Sequence, residues 1–160
     1  MNPSSEVRRT LQRDARFLTA LFWAQLATFG AMLGITFIPL RAPFGRSVYL
    51  PLMGACFVLG LALLILSIRA KSVGALRRFL ILTAASSTGF AVSAALHNMF
   101  YALGTLTDDW PILGYALTGL NVAFFLIAVF VCPLGFLAGV VGTIVVLIRK
   151  RNPTAPRLSE

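Results

Sequence analysis

Four long intervals of the sequence contain no Asp, Glu, Lys or Arg, and this feature constrains the fold more than any other. The intervals are residues 17–40, 47–68, 79–107 and 110–148, with 24, 22, 29 and 39 residues. A helix needs roughly 20 apolar residues to cross a hydrocarbon core of about 30 Å. Of the 160 residues 58% are hydrophobic and 12% are charged, whereas soluble domains carry about 25% charged residues. The sequence therefore predicts an integral membrane protein.

Each interval should cross the membrane as an α-helix, since lipid offers no hydrogen-bond partner to an unpaired backbone N–H or C=O group. A membrane β-barrel would require short segments of alternating polarity, and the four intervals do not alternate. Short connections between successive spans favour antiparallel neighbours. We therefore predict an all-α integral membrane fold, an antiparallel bundle of four transmembrane helices in a single membrane domain over residues 1–160.

The basic residues determine the predicted orientation. Twelve of the fourteen Lys and Arg residues lie before the first interval, between the second and third, or after the fourth. Cytoplasmic loops collect Lys and Arg near the ends of spans, so these three segments are predicted to be cytoplasmic. The prediction is a multi-pass protein of the plasma (cell) membrane with an even number of crossings and both termini cytoplasmic.

The fourth interval is longer than one span requires. Residues 110–117 are predicted to form a short interfacial outer segment, with Trp110 anchored at the level of the headgroups. Glycines within residues 114–119 offer a break before the span itself. Pro133 is expected to bend the last helix near its middle. The predicted spans then cover about residues 17–39, 48–68, 79–103 and 120–148.

Small residues predict where the helices approach one another. Because lipid tails are as apolar as Leu side chains, transmembrane helices associate through close backbone approach at small residues. The helix-packing residues predicted on this basis are Gly30, Gly34, Gly89, Ser93, Gly135 and Gly139. Gly30 and Gly34 have the G-x-x-x-G spacing, which fits a contact inside the bundle and a contact between copies of the chain equally well.

A polar cluster is predicted at the outer end of the third and fourth spans, formed by His97, Asn98, Tyr101 and Asn121. In one interpretation it binds a polar headgroup, a quinone or a metal shared with a partner. In the other, which we favour, it is a set of hydrogen bonds that closes the bundle, because His and Asn often bond across membrane helices. A single histidine cannot supply two axial haem ligands, so we predict no cofactor and no metal.

The two cysteines, Cys56 and Cys132, fall near the centres of the second and fourth spans. A redox pair is one interpretation, but the sequence contains no Cys-x-x-Cys motif. Free Cys often serves as a small buried hydrophobe, and this is the interpretation we favour. Among the polar residues scattered through the other spans, Gln25 is the one that most merits a test.

The absence of charge within the predicted spans limits the possible functions. Proton-coupled pumps and voltage sensors depend on charged residues inside the membrane. The net charge of +9 arises from basic residues at span ends, where they face anionic headgroups. The sequence has no basic stripe interleaved with exposed aromatics, so no nucleic-acid partner is predicted.

We expect a non-enzymatic membrane protein, a structural, accessory or anchoring subunit of a membrane assembly. Its expected partners are the lipid bilayer and either other membrane subunits or further copies of itself. One alternative is a small transporter or channel, lined by Ser and Thr residues of the third span and gated near His97. A second alternative is a lipid- or quinone-binding subunit that uses the outer polar cluster. The sequence lacks the extracellular Trp/Cys pattern of claudin-like proteins and the intramembrane Glu of small multidrug exporters.

Overall fold

The structure is a computed structural model of the chain. It describes the backbone of residues 3–37, 44–70, 74–106 and 110–151, and the side chains of residues 16–35, 48–70, 74–106 and 110–149. Within these ranges the regular secondary structure is entirely helical, with no strand. Four of the helical segments are long and apolar enough to cross a membrane, at Arg16–Ile35, Val48–Arg69, Ala75–Thr105 and Pro111–Arg149. The all-helical fold predicted from the charge-free intervals is confirmed at this level.

The first three segments are single helices and the fourth is composite. The single helices are α1 (Pro3–Phe37), α2 (Phe44–Arg69) and α3 (Ala75–Thr105). The composite segment is α4 (Pro111–Leu126), a π-helical turn (Ile127–Val131) and α5 (Cys132–Arg151). Helix α3 is central, because it packs against α2, α4 and α5, whereas α1 packs mainly on α2.

The break expected within residues 114–119 is absent, and this part of the prediction was wrong. The backbone is helical from Pro111 onward, and the Gly114 N–H donates to the carbonyl of Trp110 at 3.0 Å. A glycine lowers helix stability by only about 1 kcal/mol relative to Ala. The apolar residues around these glycines favour a backbone whose hydrogen bonds are all made within the helix, so the helix continues through them.

The irregularity expected at Pro133 takes the form of a π-helical turn just before it. Proline has no N–H and clashes with the carbonyl four residues earlier. In this turn the Cys132 N–H bonds to the carbonyl of Ile127, five residues back rather than four. Such π turns are rare and often occur at functional sites, which directs attention to the side chains around it.

Helices α1 and α2 each bury one stripe of residues. In α1 the buried residues follow steps of four and three positions, at Leu18, Phe22, Gln25, Phe29 and Met32. In α2 the same spacing appears at Cys56, Gly60, Leu63 and Ser67. This is the alternation found where helices pack at small crossing angles. It explains how a chain with apolar residues on every face still has a defined core.

Glycines let α3 approach its neighbours closely. A Cβ placed at Gly139 would lie 2.7 Å from the backbone nitrogen of Thr83, and one placed at Gly60 would lie 2.7 Å from the hydroxyl oxygens of Ser87 and Thr88. A Cβ at Gly135 would likewise collide with the side chain of Ser86. These contacts run in opposite directions along the paired helices, as antiparallel neighbours require.

Gly30 and Gly34 behave differently from the other predicted packing residues. No heavy atom of the described residues lies within 4 Å of a Cβ built at either position. Of the two contacts that this G-x-x-x-G spacing left open, the one inside the bundle is not seen among the described residues. The other predicted members lie nearer their neighbours: Ser93 is buried, and a Cβ at Gly89 would lie 3.5 Å from the sulfur of Cys132.

One arginine near the start of α3 bonds to the end of α2. Arg77 donates from Nε to the carbonyl of Ser67 at 3.2 Å and from Nη2 to the carbonyl of Ile68 at 2.9 Å. Both carbonyls belong to the last turn of α2, where helices lack their own N–H donors. Gly74 precedes α3 with a φ of +105°, a conformation that residues with a Cβ rarely adopt.

Candidate functional site

The candidate site is built around a hydrogen bond between α3 and α4. Nδ1 of His97 lies 3.1 Å from the main-chain carbonyl oxygen of Asn121. A carbonyl oxygen only accepts, so Nδ1 carries the proton and donates it. In the neutral ring, Nε2 is then an acceptor. The ring also packs beside Phe125, with centroids 5.3 Å apart. Two members of the predicted polar cluster are thus brought together.

The other two members of that cluster do not join this hydrogen bond. Asn98 donates from Nδ2 to the carbonyl of Ala94, one turn back on its own helix, at 2.7 Å. Tyr101 is 62% exposed. The side-chain oxygen of Asn121 is buried and has no hydrogen-bond partner among the described residues. The cluster is therefore a neighbourhood of polar groups rather than a closed network.

A cavity of about 230 Å³ lies beside His97 and is open on one side. We call it the histidine cavity. Its polar walls are Tyr49, His97 and Asn98, and its larger apolar walls are Leu33, Phe90 and Phe125. These residues come from α1, α2, α3 and α4, so the cavity lies where all four membrane-length helices meet.

The π-helical turn forms another wall of the histidine cavity. Ala128, Val129 and Pro133 line it. In an α-helix, an N–H at position 133 would bond the carbonyl of Val129, four residues earlier. In a π-helix it would bond the carbonyl of Ala128, five residues earlier. Because proline has no N–H, neither carbonyl receives a hydrogen bond from position 133.

A second cavity of about 220 Å³ lies further along α3 and α4. Its lining residues include Tyr101, Thr105, Thr118 and Asn121, and we call it the asparagine cavity. Asn121 thus uses its carbonyl to hold His97 and its side chain to line the second cavity. The hydrogen bond between α3 and α4 stands between the two cavities.

The cysteines lie at separate helix contacts. Nε2 of Gln25 donates to the sulfur of Cys56 at 3.1 Å, and the Gln25 Oε1 atom has no partner among the described residues. Cys132 lies opposite Gly89, and both thiols are free. A buried amide that bonds across to a neighbouring helix is a common form of association between membrane helices. This geometry places the amide of Gln25 at the contact between α1 and α2.

Two buried hydroxyl groups of α3 lie at helix contacts. Thr83 donates to the carbonyl of Phe79 at 2.9 Å, and Ser87 donates to the carbonyl of Ala84 at 3.0 Å. Both residues are fully buried and face the glycines described above. Such hydroxyls satisfy themselves on their own helix and leave the small residues free to pack.

No group of three His, Cys, Asp or Glu side chains within the described ranges could hold a metal ion. The polar chemistry of the site is therefore that of one imidazole, side-chain amides, one phenol and main-chain carbonyls. These groups can donate or accept hydrogen bonds, and within the described residues none of them is paired as a nucleophile and base.

Several residues of the site were not predicted from the sequence. Tyr49 lies near the start of α2, and no role was predicted for it. Phe125 and Ala128 belong to an unbroken apolar run. Pro133 could nevertheless have indicated this part of the site, because a proline within an apolar helix leaves a nearby main-chain carbonyl without its usual N–H donor. Gly60 was also missed, although Cys56 and Gly60 have the small-x-x-x-small spacing.

Comparison of the chain with protein-family models, with curated proteins and with solved structures finds no match. The function is therefore inferred from the chemistry of the chain's own residues.

Proposed function

We propose that this protein is a non-enzymatic multi-pass membrane protein of the cell membrane, with both termini in the cytoplasm, that serves as an accessory or anchoring subunit of a membrane assembly. Its four long helices are apolar enough for this role. Their described charged side chains lie near the ends of the membrane-length segments, where they can reach headgroups. Those described are Arg16, Arg69, Arg77, Arg78 and Arg149.

The observation that carries the proposal is the outward face of α1. Every exposed position of α1 between residues 24 and 35 is Ala or Gly: Ala24, Ala27, Gly30 and Ala31. The nearby Gly34 also has open space where a Cβ would stand. Small residues on one face let another helix approach closely, and this is how membrane helices associate.

The outward faces of α2 and α5 carry large apolar side chains beside small residues such as Gly54, Ala55 and Ala138. On α2, Leu50 and Val58 are 68% and 63% exposed, and on α5, Leu134 and Val141 are 65% and 59% exposed. Large apolar side chains of this kind suit contact with lipid tails. The contrast supports α1 as the face that receives another membrane helix, from a second copy or from another subunit.

The transporter or channel alternative receives less support from the geometry. Its proposed pathway was the Ser and Thr row of α3. Thr83 and Ser87 in that row are buried against glycines of neighbouring helices. A water-filled path would instead require these hydroxyl groups to line an open lumen.

The test is the mass of the full-length chain purified in mild detergent. We expect a species heavier than the 17.3 kDa monomer, with an added mass equal to one further copy or to another membrane subunit. The double variant Ala27→Leu, Ala31→Leu should release that partner, because two isobutyl groups would hold the helices apart. The control is Ala55→Leu, Ala138→Leu, which makes the same change at exposed positions on α2 and α5 and should retain the partner.

Two results would overturn the proposal. One is a wild-type protein that runs as a bare monomer in every mild detergent. The other is a partner that survives the α1 substitutions as well as it survives the control substitutions.

A further inference from the structure

We propose that the histidine cavity binds the ring of a hydroxylated aromatic lipid, the reduced (quinol) form of a membrane quinone. The proposal rests on the membrane placement argued above and is independent of the accessory role. It assigns a class of ligand to a cavity that has no part in the proposed association through α1.

The size of the cavity fits a single substituted ring. An engineered protein cavity of about 150 Å³ is large enough to bind benzene. The histidine cavity, at about 230 Å³, leaves room for hydroxyl groups and small substituents on a six-membered ring. It is too small to enclose a long lipid tail, so the tail must leave through the open side.

The walls favour a flat aromatic ring. Phe90 and Phe125 line the cavity together with the imidazole of His97. Aromatic rings prefer to meet other rings in offset or edge-to-face arrangements, and each such contact contributes about 0.5–1.5 kcal/mol beyond the area it buries. Leu33 of α1 completes an apolar surface on which such a ring can lie.

The polar groups of the cavity favour a ligand that donates hydrogen bonds. Nδ1 of His97 is already used to donate to Asn121, which leaves the Nε2 lone pair. Asn98 donates one of its two Nδ2 hydrogens to Ala94, which leaves one N–H donor and the amide oxygen, and the hydroxyl of Tyr49 can donate or accept. The Nε2 lone pair is therefore the group that only a donor can satisfy. A quinol has two O–H donors for such acceptors, whereas the oxidised quinone offers only carbonyl acceptors.

The experiment measures binding of a decyl-substituted 1,4-benzoquinol and of its oxidised form to the full chain in nanodiscs. The discs are made of phosphatidylcholine, whose headgroup carries no hydroxyl to compete, and the quinol is kept reduced without oxygen. Saturable binding is expected for the quinol, about five- to tenfold tighter than for the quinone, which corresponds to roughly one net hydrogen bond.

Two variants test the site. His97→Phe keeps a ring and removes Nε2, and should lose the preference for the reduced form. Ala94→Leu fills the cavity from its half-buried wall position while leaving the His97 side chain in place, and should abolish binding of both forms. Thr118→Val, in the wall of the asparagine cavity, is the matched control and should bind as wild type does. Each variant must keep the wild-type helical circular dichroism.

The proposal is overturned by a wild-type protein that binds neither form, that binds the quinone as tightly as the quinol, or whose binding survives Ala94→Leu. Phosphatidylglycerol added to the discs should compete weakly, and full competition would assign the cavity to a lipid headgroup instead. Because ligand binding and the mass of the purified species are separate readouts, failure here is distinguishable from failure of the accessory role.

Discussion

Single glycines determine how closely the helices of this bundle approach. Thirteen glycines occur in the chain, and sequence spacing alone gave Gly30 and Gly139 the same predicted role. In the structure Gly139 lies against the backbone of Thr83, whereas Gly30 has open space around it. The sequence predicts that small residues matter in such a bundle. It does not predict which of them face another helix, because apolar residues surround every helix.

Substitution of Gly139 tests this distinction. Gly139→Ala should lower the free energy of unfolding by about 1–3 kcal/mol, the usual cost of forcing extra atoms into a packed contact. Gly30→Ala, the control, should leave the free energy unchanged or raise it slightly, since Ala favours helix over Gly. Unfolding in mixed micelles, followed by circular dichroism, measures both. A larger loss from Gly30→Ala than from Gly139→Ala would contradict the packing described.

Gln25 tests whether a buried amide stabilises the pairing of α1 with α2. Its Nε2 bonds to Cys56 while Oε1 has no partner among the described residues. A hydrogen bond between membrane helices contributes on average only about 0.6 kcal/mol, and an unpaired buried acceptor costs about 1–3 kcal/mol. Gln25→Leu, which keeps the volume, should therefore leave the free energy of unfolding unchanged or raise it.

The companion variant Gln25→Ala separates volume from polarity. It removes the amide but also opens a cavity at a fully buried position, and should cost about 2–4 kcal/mol, as other large-to-small core changes do. If Gln25→Leu proved as destabilising as Gln25→Ala in the same unfolding assay, the amide would have a structural role beyond its volume.

At the scale of elements, the helices could be predicted from the sequence because charge is so costly inside lipid. The four charge-free intervals overlap the four membrane-length helices. Their internal irregularities were harder to predict. Glycines at 114 and 119 suggested a break that is absent, and Pro133 suggested a bend where the structure has a π-helical turn. Whether a helix continues through such residues depends on whether the nearby main-chain carbonyls find hydrogen-bond donors. Those donors come from the neighbouring turns, whose geometry the sequence does not show.

The cap on α2 gives a prediction at this scale. Arg77 donates two hydrogen bonds to the last-turn carbonyls of α2, and hydrogen bonds from charged groups contribute about 1.5–3 kcal/mol. Because the site is partly exposed, we expect Arg77→Met to lower the free energy of unfolding by about 1–2 kcal/mol. It should also speed amide exchange at the end of α2.

The neighbouring residue supplies the control for that cap. Arg78 is exposed, and Arg78→Met removes the same charge one position along. It should change the free energy of unfolding by less than about 0.5 kcal/mol, as surface substitutions usually do. Equal losses from the two variants would mean that net charge, rather than the cap, stabilises this turn.

At the scale of the whole molecule, α3 is the helix around which the others pack, and the histidine cavity lies where residues of all four membrane-length helices meet. The pairing of His97 with Asn121 could be predicted from depth along the helices, because both residues fall near the same end of the bundle. The participation of Tyr49 and Leu33 could not, since it depends on how α1 and α2 are rotated. That rotation is set by the buried stripes, which an apolar sequence does not identify.

The account depends on four membrane crossings with both termini on the same side, and cysteine accessibility tests this most directly. In a chain with Cys56→Ala and Cys132→Ala, single cysteines are introduced as Ser5→Cys, Thr107→Cys or Ser159→Cys and treated with a membrane-impermeant maleimide. In intact cells only the Thr107→Cys chain should react, and after the membrane is opened all three should react. Labelling of one terminus but not the other in intact cells would contradict the account.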